Sequence, residues 1–308
     1  MTDPVSASPD LSRAAVLATV RRSRSPEAGG VGLRTHPFCS DNVGDPRLPR
    51  VAEEFLVASR LKRWDLQTQS SISTYSSDPL AACWAYNGAE QVPADRLTPL
   101  PPSPDIAEPL TSVVRRRRSE RAFSDAPLAA AALAGLLRHG AGPTADGEVV
   151  TEDGVTLEGA FHAVPSAGGL RPVQVWVAAS RVTGVPEGIH RYLPERDALA
   201  AHAGPEGLAA LLDALQDAPT GPHPRQAAAM VLLVARPWRA MRKYGPRGMR
   251  FVLHECGGLA QNVHLAATGA GLATTDFSGF YDDEANAALG VDGVLEALLH
   301  TVLVGIAE

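Results

Sequence analysis

One stretch constrains the fold of this chain more than any other. From Phe251 to about Gly271, the residues Leu253, Cys256, Leu259, Ala260, Val263 and Ala267 recur at intervals of three and four, the period of a helix that buries one face. Gly257, Gly258 and several alanines sit among them, leaving room for a second helix to pack closely. A helix of this length needs an apolar layer to cover, and the chain supplies strands for one. The runs from Val173 to Ala179 and from Met230 to Ala235 read as buried strands, and those from Gly188 to Leu193, Leu272 to Phe280 and Leu298 to Gly305 as further extended segments. Shorter helices are predicted from Pro127 through Leu137, with Leu133, Leu136 and Leu137 at core spacing, and from Pro205 to Leu215. The Gly- and Asp-punctuated run from Thr144 to Gly159 reads as a hairpin. Strands and helices alternate irregularly, which predicts an α+β layered domain and argues against a doubly wound one.

The N-terminal third reads differently. Residues 1–50 are rich in Ser, Pro, Gly and Arg, with a helical hint only from Leu11 to Val20, and are expected to be a flexible leader. Val51, Phe55, Leu56 and Leu61 follow at helical spacing behind Glu53 and Glu54, predicting a helix through about Trp64. From Ser70 to Pro109 the chain reads as polar turns and a proline-rich connector. The expected organisation is a leader (1–50), an N-terminal extension and linker (51–108), and a main domain (109–308).

At 308 residues, 45% hydrophobic and 20% charged, the chain can bury a substantial core. Its net charge of -6 gives no drive toward nucleic acid. Cys39, Cys83 and Cys256 are widely spaced and form neither a disulfide framework nor a zinc motif. No apolar run has the length of a membrane span or signal core, so a cytoplasmic location without export or membrane insertion is expected. His254, Glu255, Cys256 and His264 would spread around several faces of their helix, so no metal site is expected. Gly-x-Gly-x-x-Gly, the phosphate-loop motif and Gly-x-Ser-x-Gly are absent where they would be needed.

Lysine occurs only at positions 62 and 243, although Lys and Arg together number 28. Only Lys can lose its proton and act as a base near neutral pH once desolvated, so Lys243 beside Tyr244 is a candidate base. The alternative is a solvated basic turn before a helix. The run Arg115-Arg116-Arg117-Arg118-Ser119-Glu120-Arg121-Ala122-Phe123 would form the basic terminal turn of a helix, or is a solvated patch. The loop Pro165-Ser166-Ala167-Gly168-Gly169-Leu170-Arg171-Pro172 precedes a buried strand. Its small residues let backbone approach a flat ligand, and equally suit a tight turn.

Together the Arg117 to Phe123 run, the Pro165 to Pro172 loop, and Tyr244-Gly245-Pro246-Arg247-Gly248 with Glu255, Leu265-Ala266-Ala267 and Gly269 to Leu272 stand in the order seen in nitroreductase-like flavoproteins. They most resemble the SagB-type branch, the azoline dehydrogenases that mature thiazole- and oxazole-containing peptides. The likeness runs from about Pro109 to Gly305. It implies a mixed, antiparallel-rich sheet flanked by helices, with an N-terminal helical and loop extension, in a homodimer whose FMN sites lie at the subunit interface.

By position, the resemblance assigns Arg117, Arg118, Ser119 and Arg121 to the FMN phosphate and ribityl chain. It places Pro165, Ser166, Ala167 and Gly168 on the isoalloxazine ring, from the other subunit, and Ser278 and Gly279 near its reactive edge. Lys243 and Tyr244 match a Lys-Tyr pair of azoline-oxidising members, with Lys243 as general base and Tyr244 assisting. The implied substrate is an azoline-containing precursor peptide, the implied oxidant of reduced flavin is O2, and a complex with a cyclodehydratase is a further expectation. The alternatives are a nicotinamide-dependent reductase of nitro, quinone or enone compounds, and a flavin-free docking subunit.

Overall fold

A computed structural model describes residues 54–77, 92–150, 154, 156–216 and 222–308. The chain divides into two compact units, Met1–Arg60 and Leu61–Glu308. In the first, residues 54–58 are helical, and the Ser59 hydroxyl donates to Phe55 O at 2.5 Å. The helix expected to continue through Trp64 therefore stops at residue 58. Residues 51–53 and the expected leader, including its Leu11 to Val20 segment, lie outside the described residues.

The second unit begins with a helix that corrects the sequence reading. Where polar turns were expected, α1 spans Leu66–Ser77. Asp65 caps it, accepting from the Thr68 amide at 3.0 Å and the Thr68 hydroxyl at 2.8 Å. Its partly buried residues, Thr68, Ser71, Ile72 and Tyr75, fall at helical intervals, but three of the four are polar, so no hydrophobic period announces the helix. A second correction falls within the expected connector, where β1 (Leu97–Pro99) adds an edge strand.

Helix α2 (Leu110–Arg116) ends in Arg115 and Arg116, the basic last turn the sequence implied. Leu128 does not open a helix; with Ala129 it forms β2, and α3 runs from Ala130–Ala141. The predicted hairpin is β3 (Pro143–Val150) with β4 (Thr156–His162). Then come β5 (Val173–Ala179), β6 (Val182–Thr183), β7 (Gly188–Leu193), β8 (Ala198–Ala203), α4 (Pro205–Asp213) and β9 (Ala229–Ala235). The C-terminal part holds α5 (Trp238–Tyr244), α6 (Gly248–Gly269), β10 (Ala273–Phe277), α7 (Asp282–Ala288) and β11 (Ala297–Gly305). Strand β8 and helices α5 and α7 were not anticipated as separate elements.

Seven strands form one antiparallel sheet in the order β1-β8-β7-β5-β9-β11-β10. Among the described residues, parallel pairing is confined to β2 with β6. Every residue of β9 is buried, and its side chains alternate between two cores. Val231 and Leu233 join Leu133, Leu137, Val252, Leu259 and Val263 under α3 and α6. Leu232 and Val234 join Leu208, Leu211, Ala285 and Leu289 under α4 and α7. The result is an α+β sheet covered on both faces, as expected. Helices α5 and α6 cross at Gly248, where a Cβ would lie 2.7 Å from Ala240 C; only glycine permits that approach.

Leu137 is fully buried in the layer between sheet and α6. Leu137→Ala is expected to lower the unfolding free energy by about 2–5 kcal/mol, measured by urea denaturation.

Candidate active site

The register of the central strands creates the site. Val173 of β5 and Ala297 of β11 both pair with Ala235 of β9, so the segments flanking these residues meet at one end of the sheet. There the Arg236 amide donates to Pro172 O at 2.7 Å, the Arg236 guanidinium pairs with Glu296, and Arg239 Nε donates to Leu170 O at 2.8 Å. These bonds tie the Pro165 to Pro172 loop to the start of α5, and α5 carries Lys243 and Tyr244 in its last turn. Gly245, with φ 58°, turns the chain from α5 toward α6.

Within the loop, the Arg171 amide donates to Ser166 Oγ at 2.9 Å. Gly168 has φ 63°, and a Cβ there would stand 2.7 Å from the Tyr244 hydroxyl and 3.0 Å from Lys243 Nζ. The structure thus brings Lys243 and Tyr244 onto the backbone of the small-residue loop. Lys243 Nζ lies 5.5 Å from the centre of the Tyr244 ring and 5.9 Å from that of Tyr75 on α1. Burial lowers the Lys243 pKa because a desolvated ammonium is disfavoured. Tyr244 packs edge-on to Phe251 at 5.0 Å between ring centroids.

On its other side the loop faces a cleft of about 590 Å³, bounded by the β3–β4 hairpin, β5 and β7. Ser166, Arg171, Arg239 and Glu255 line it, whereas Lys243 and Tyr244 do not. Glu255 is only 4% exposed, and its Oε1 accepts from the Val173 amide at 3.2 Å. Burial raises the Glu255 pKa, against the opposing pull of Ser166, Val173, Arg171 and Arg239. Glu255 lies between Val252 and Cys256 on the buried face of α6; Leu253, which the apolar period places on that face, is instead exposed. Its neighbour Cys256 is also buried, which pushes the thiol to about 11 and leaves it unreactive.

The arginine segment lies at a different edge. The Glu120 amide donates to Thr274 O at 2.9 Å, placing the segment beside β10. Arg117 Nη1 and Arg121 Nη1 each approach Ser119 at 3.5 Å, at its hydroxyl and its carbonyl respectively. Arg118 is turned back, donating to Arg115 O at 2.9 Å and Arg117 O at 2.8 Å. Ser278 and Gly279 follow the other end of β10, four residues beyond Thr274, or about 13 Å of strand.

Ser278 is held in a chain of polar contacts that the sequence did not reveal. Ser278 Oγ lies 2.7 Å from His300 Nδ1, and His300 Nε2 lies 2.7 Å from Asp276 Oδ1. The same carboxylate oxygen meets His264 Nε2 at 2.9 Å, and His264 Nδ1 meets Thr274 Oγ1 at 2.8 Å. Hydrogen bonds from the two histidines hold the Asp276 pKa far below the usual carboxylate range. Among the described residues no helix is long and apolar enough to cross a membrane.

A model of the nitroreductase family matches residues 114–306, which takes in both the arginine segment and the Lys243 loop contact. The chain belongs to the nitroreductase family. Members of that family are flavin-binding oxidoreductases, and the sheet described above is the nitroreductase fold. A nitroreductase-type protein of Methanocaldococcus jannaschii is 37% identical over 184 residues, 59% of this chain and 84% of the relative.

Crystal structures of nitroreductase-type proteins from Anabaena variabilis and Ralstonia eutropha match with TM-scores of 0.56 and 0.51 and identities of 23% and 21%. The first match covers 69% of this chain but 42% of the Anabaena chain, and the second 70% of this chain and 92% of its counterpart. A chain of the Escherichia coli microcin synthetase McbBCD complex, with truncated pro-MccB17 bound, matches with a TM-score of 0.51 and 20% identity, over 87% of this nitroreductase-family chain and 96% of the other.

Because burial raises the folded-state pKa of Glu255, its contribution to stability is fully present below its unfolded pKa of about 4.3 and is lost as pH rises through the folded value. Glu255→Gln keeps an acceptor for the Val173 amide and removes the charge. Thermal unfolding is expected to show a variant more stable than the parent near pH 8, with the gap shrinking toward about pH 5. Gly168→Ala, strained by the positive φ and by the two side-chain ends, is expected to cost about 1–3 kcal/mol in the same assay.

Proposed function

We propose that this chain is an FMN-dependent dehydrogenase that oxidises thiazolines or oxazolines in a ribosomally made peptide to the corresponding azoles. The observation that carries the reading is the convergence of Lys243 Nζ and the Tyr244 hydroxyl on Gly168. An azoline becomes aromatic by losing a proton from its α-carbon and a hydride from its β-carbon. Lys243, partly desolvated and with a lowered pKa, can be neutral at a pH where an exposed lysine is charged, and it takes the α-proton. Tyr244, one residue on, positions that amine from the same helical turn.

FMN, when bound, supplies the two-electron acceptor for the departing hydride. The donor set fits an FMN. Arg117 and Arg121, loosely held at Ser119, present guanidiniums to its phosphate, while Ser278 and Gly279 flank its ring at the other end of β10. Arg118, already engaged with backbone carbonyls, contributes charge more than a direct contact. Pro165, Ser166, Ala167 and Gly168 cover the ring from a second copy of the chain. That copy would also bury Leu110 and Val114, which lie one turn apart on α2 and are 66% and 54% exposed. The structural match to the pro-MccB17-bound synthetase extends well beyond the family-matched region, which favours a peptide substrate presented within a larger assembly that contains a cyclodehydratase.

The test is the mass of an azoline-bearing peptide incubated in air with the purified, flavin-loaded protein. The expected result is the loss of two hydrogen atoms per ring. Lys243→Ala is expected to retain bound flavin and to lower azole formation by at least about a hundredfold, the usual worth of a general base. Unchanged peptide mass together with rapid flavin reduction by NADH or NADPH would replace this reading with a small-molecule reductase.

A further inference from the structure

Helix α1 lies outside the region that defines the family match, yet it packs against α5, the helix that carries the candidate base. Its contact is specific. The Ser71 hydroxyl donates to Arg242 O at 2.5 Å, supplying a partner for a carbonyl in the last turn of α5. Thr68 approaches the turn after it, with its Oγ1 3.3 Å from where a Cβ on Gly245 would sit. One turn beyond Ser71, Tyr75 reaches over Lys243, and its ring centre stands 5.9 Å from Nζ. With Tyr244 at 5.5 Å and Gly168 close by, the half-buried amine is flanked by two phenol rings and a backbone without a side chain.

We infer that Tyr75 is a positioning residue for Lys243: its ring roofs the amine, excludes water from it and so keeps the neutral form accessible. This rests on the reading of Lys243 as the base. The alternative effect of an aromatic ring, attraction of the charged ammonium, reaches to about 6 Å and weakens toward that limit. At 5.9 Å the displacement of water is the larger influence, and it favours the neutral amine. Ionisable groups at the amine include the phenols of Tyr75 on α1 and Tyr244 on α5, and Tyr75 in turn lies near enough to Arg239 on α5 to act on its charge. Arg239 is half-buried, with its Nε held by Leu170 O. Burial lowers the Lys243 pKa, so groups that cover the amine bear on the effect.

The chain has two lysines, Lys62 and Lys243, which makes a direct measurement possible. In full-length, flavin-loaded protein labelled with 13C at lysine Cε, two resonances are expected, and Lys62→Arg assigns them. Tyr75→Thr, a residue the same helix carries at positions 68 and 74, is expected to move the Lys243 titration midpoint upward. The acid limb of the azole-formation pH profile is expected to move with it. Tyr75→Phe, which keeps the ring, is expected to titrate as the parent does.

An unmoved midpoint in Tyr75→Thr overturns the inference. So does a Tyr75→Phe midpoint displaced as far as that of Tyr75→Thr, since the hydroxyl and not the cover would then be responsible. Ser71→Ala loosens α1 without removing the ring. A midpoint displaced there as far as in Tyr75→Thr would assign the effect to helix docking and also overturn it. If the midpoint moves in Tyr75→Thr while Lys243→Ala retains full azole formation, the reading of Lys243 as base fails and the cover by Tyr75 stands.

Discussion

The two-sided burial of β9 is the constraint on which the rest of the structure depends. A strand with seven consecutive buried residues has no face to give to water, so both surfaces of the sheet must be roofed by helices. The alternation of side chains divides the interior into one core under α3 and α6 and another under α4 and α7. The same strand fixes its neighbours' register, and the register decides where chain segments emerge. Arg236 leaves β9 beside Pro172 and Glu296, and the candidate site grows from that junction.

The junction creates an unusual setting for a lysine. The loop from Pro165 to Pro172 is bonded to the start of α5, the end of α5 reaches back to Gly168, and α1 covers the amine from outside. None of the three is near another in sequence. Desolvation by such a set changes the chemistry available to Lys243, because burial disfavours the charged form. The ends and the middle of one loop have different duties: Ser166 and Arg171 face the cleft with Glu255, while Gly168 between them meets Lys243 and Tyr244.

At the edge of the same sheet, β10 links two segments that the sequence had grouped only by resemblance. Glu120 anchors the arginine run at Thr274, and Ser278 follows the strand's far end. Arg118 differs from its neighbours in the motif, since in the folded chain its Nη1 donates to the carbonyls of Arg115 and Arg117. The histidines of the Asp276 chain were opaque in the sequence. His264 and His300 are 36 residues apart on a helix and a strand, and nothing local in either position foretells a shared carboxylate.

By itself the sequence determined whatever depends on local period and local chemistry. The apolar recurrence of α6, the unbroken runs of β5 and β9 and the turn residues of the β3–β4 hairpin each carry their own signal, because a buried face must repeat with its element. It also singled out Lys243 by the scarcity of lysine. The tertiary structure alone decided which elements cover which. Helix α1 is the clearest case: Thr68, Ser71 and Tyr75 carry no hydrophobic period, and the helix is held by a cap at Asp65 and by docking on α5. Strand β1, three residues long, exists only because β8 offers it an edge to pair with. Such elements gain their stability from partners distant in the chain, and a linear pattern holds no record of those contacts.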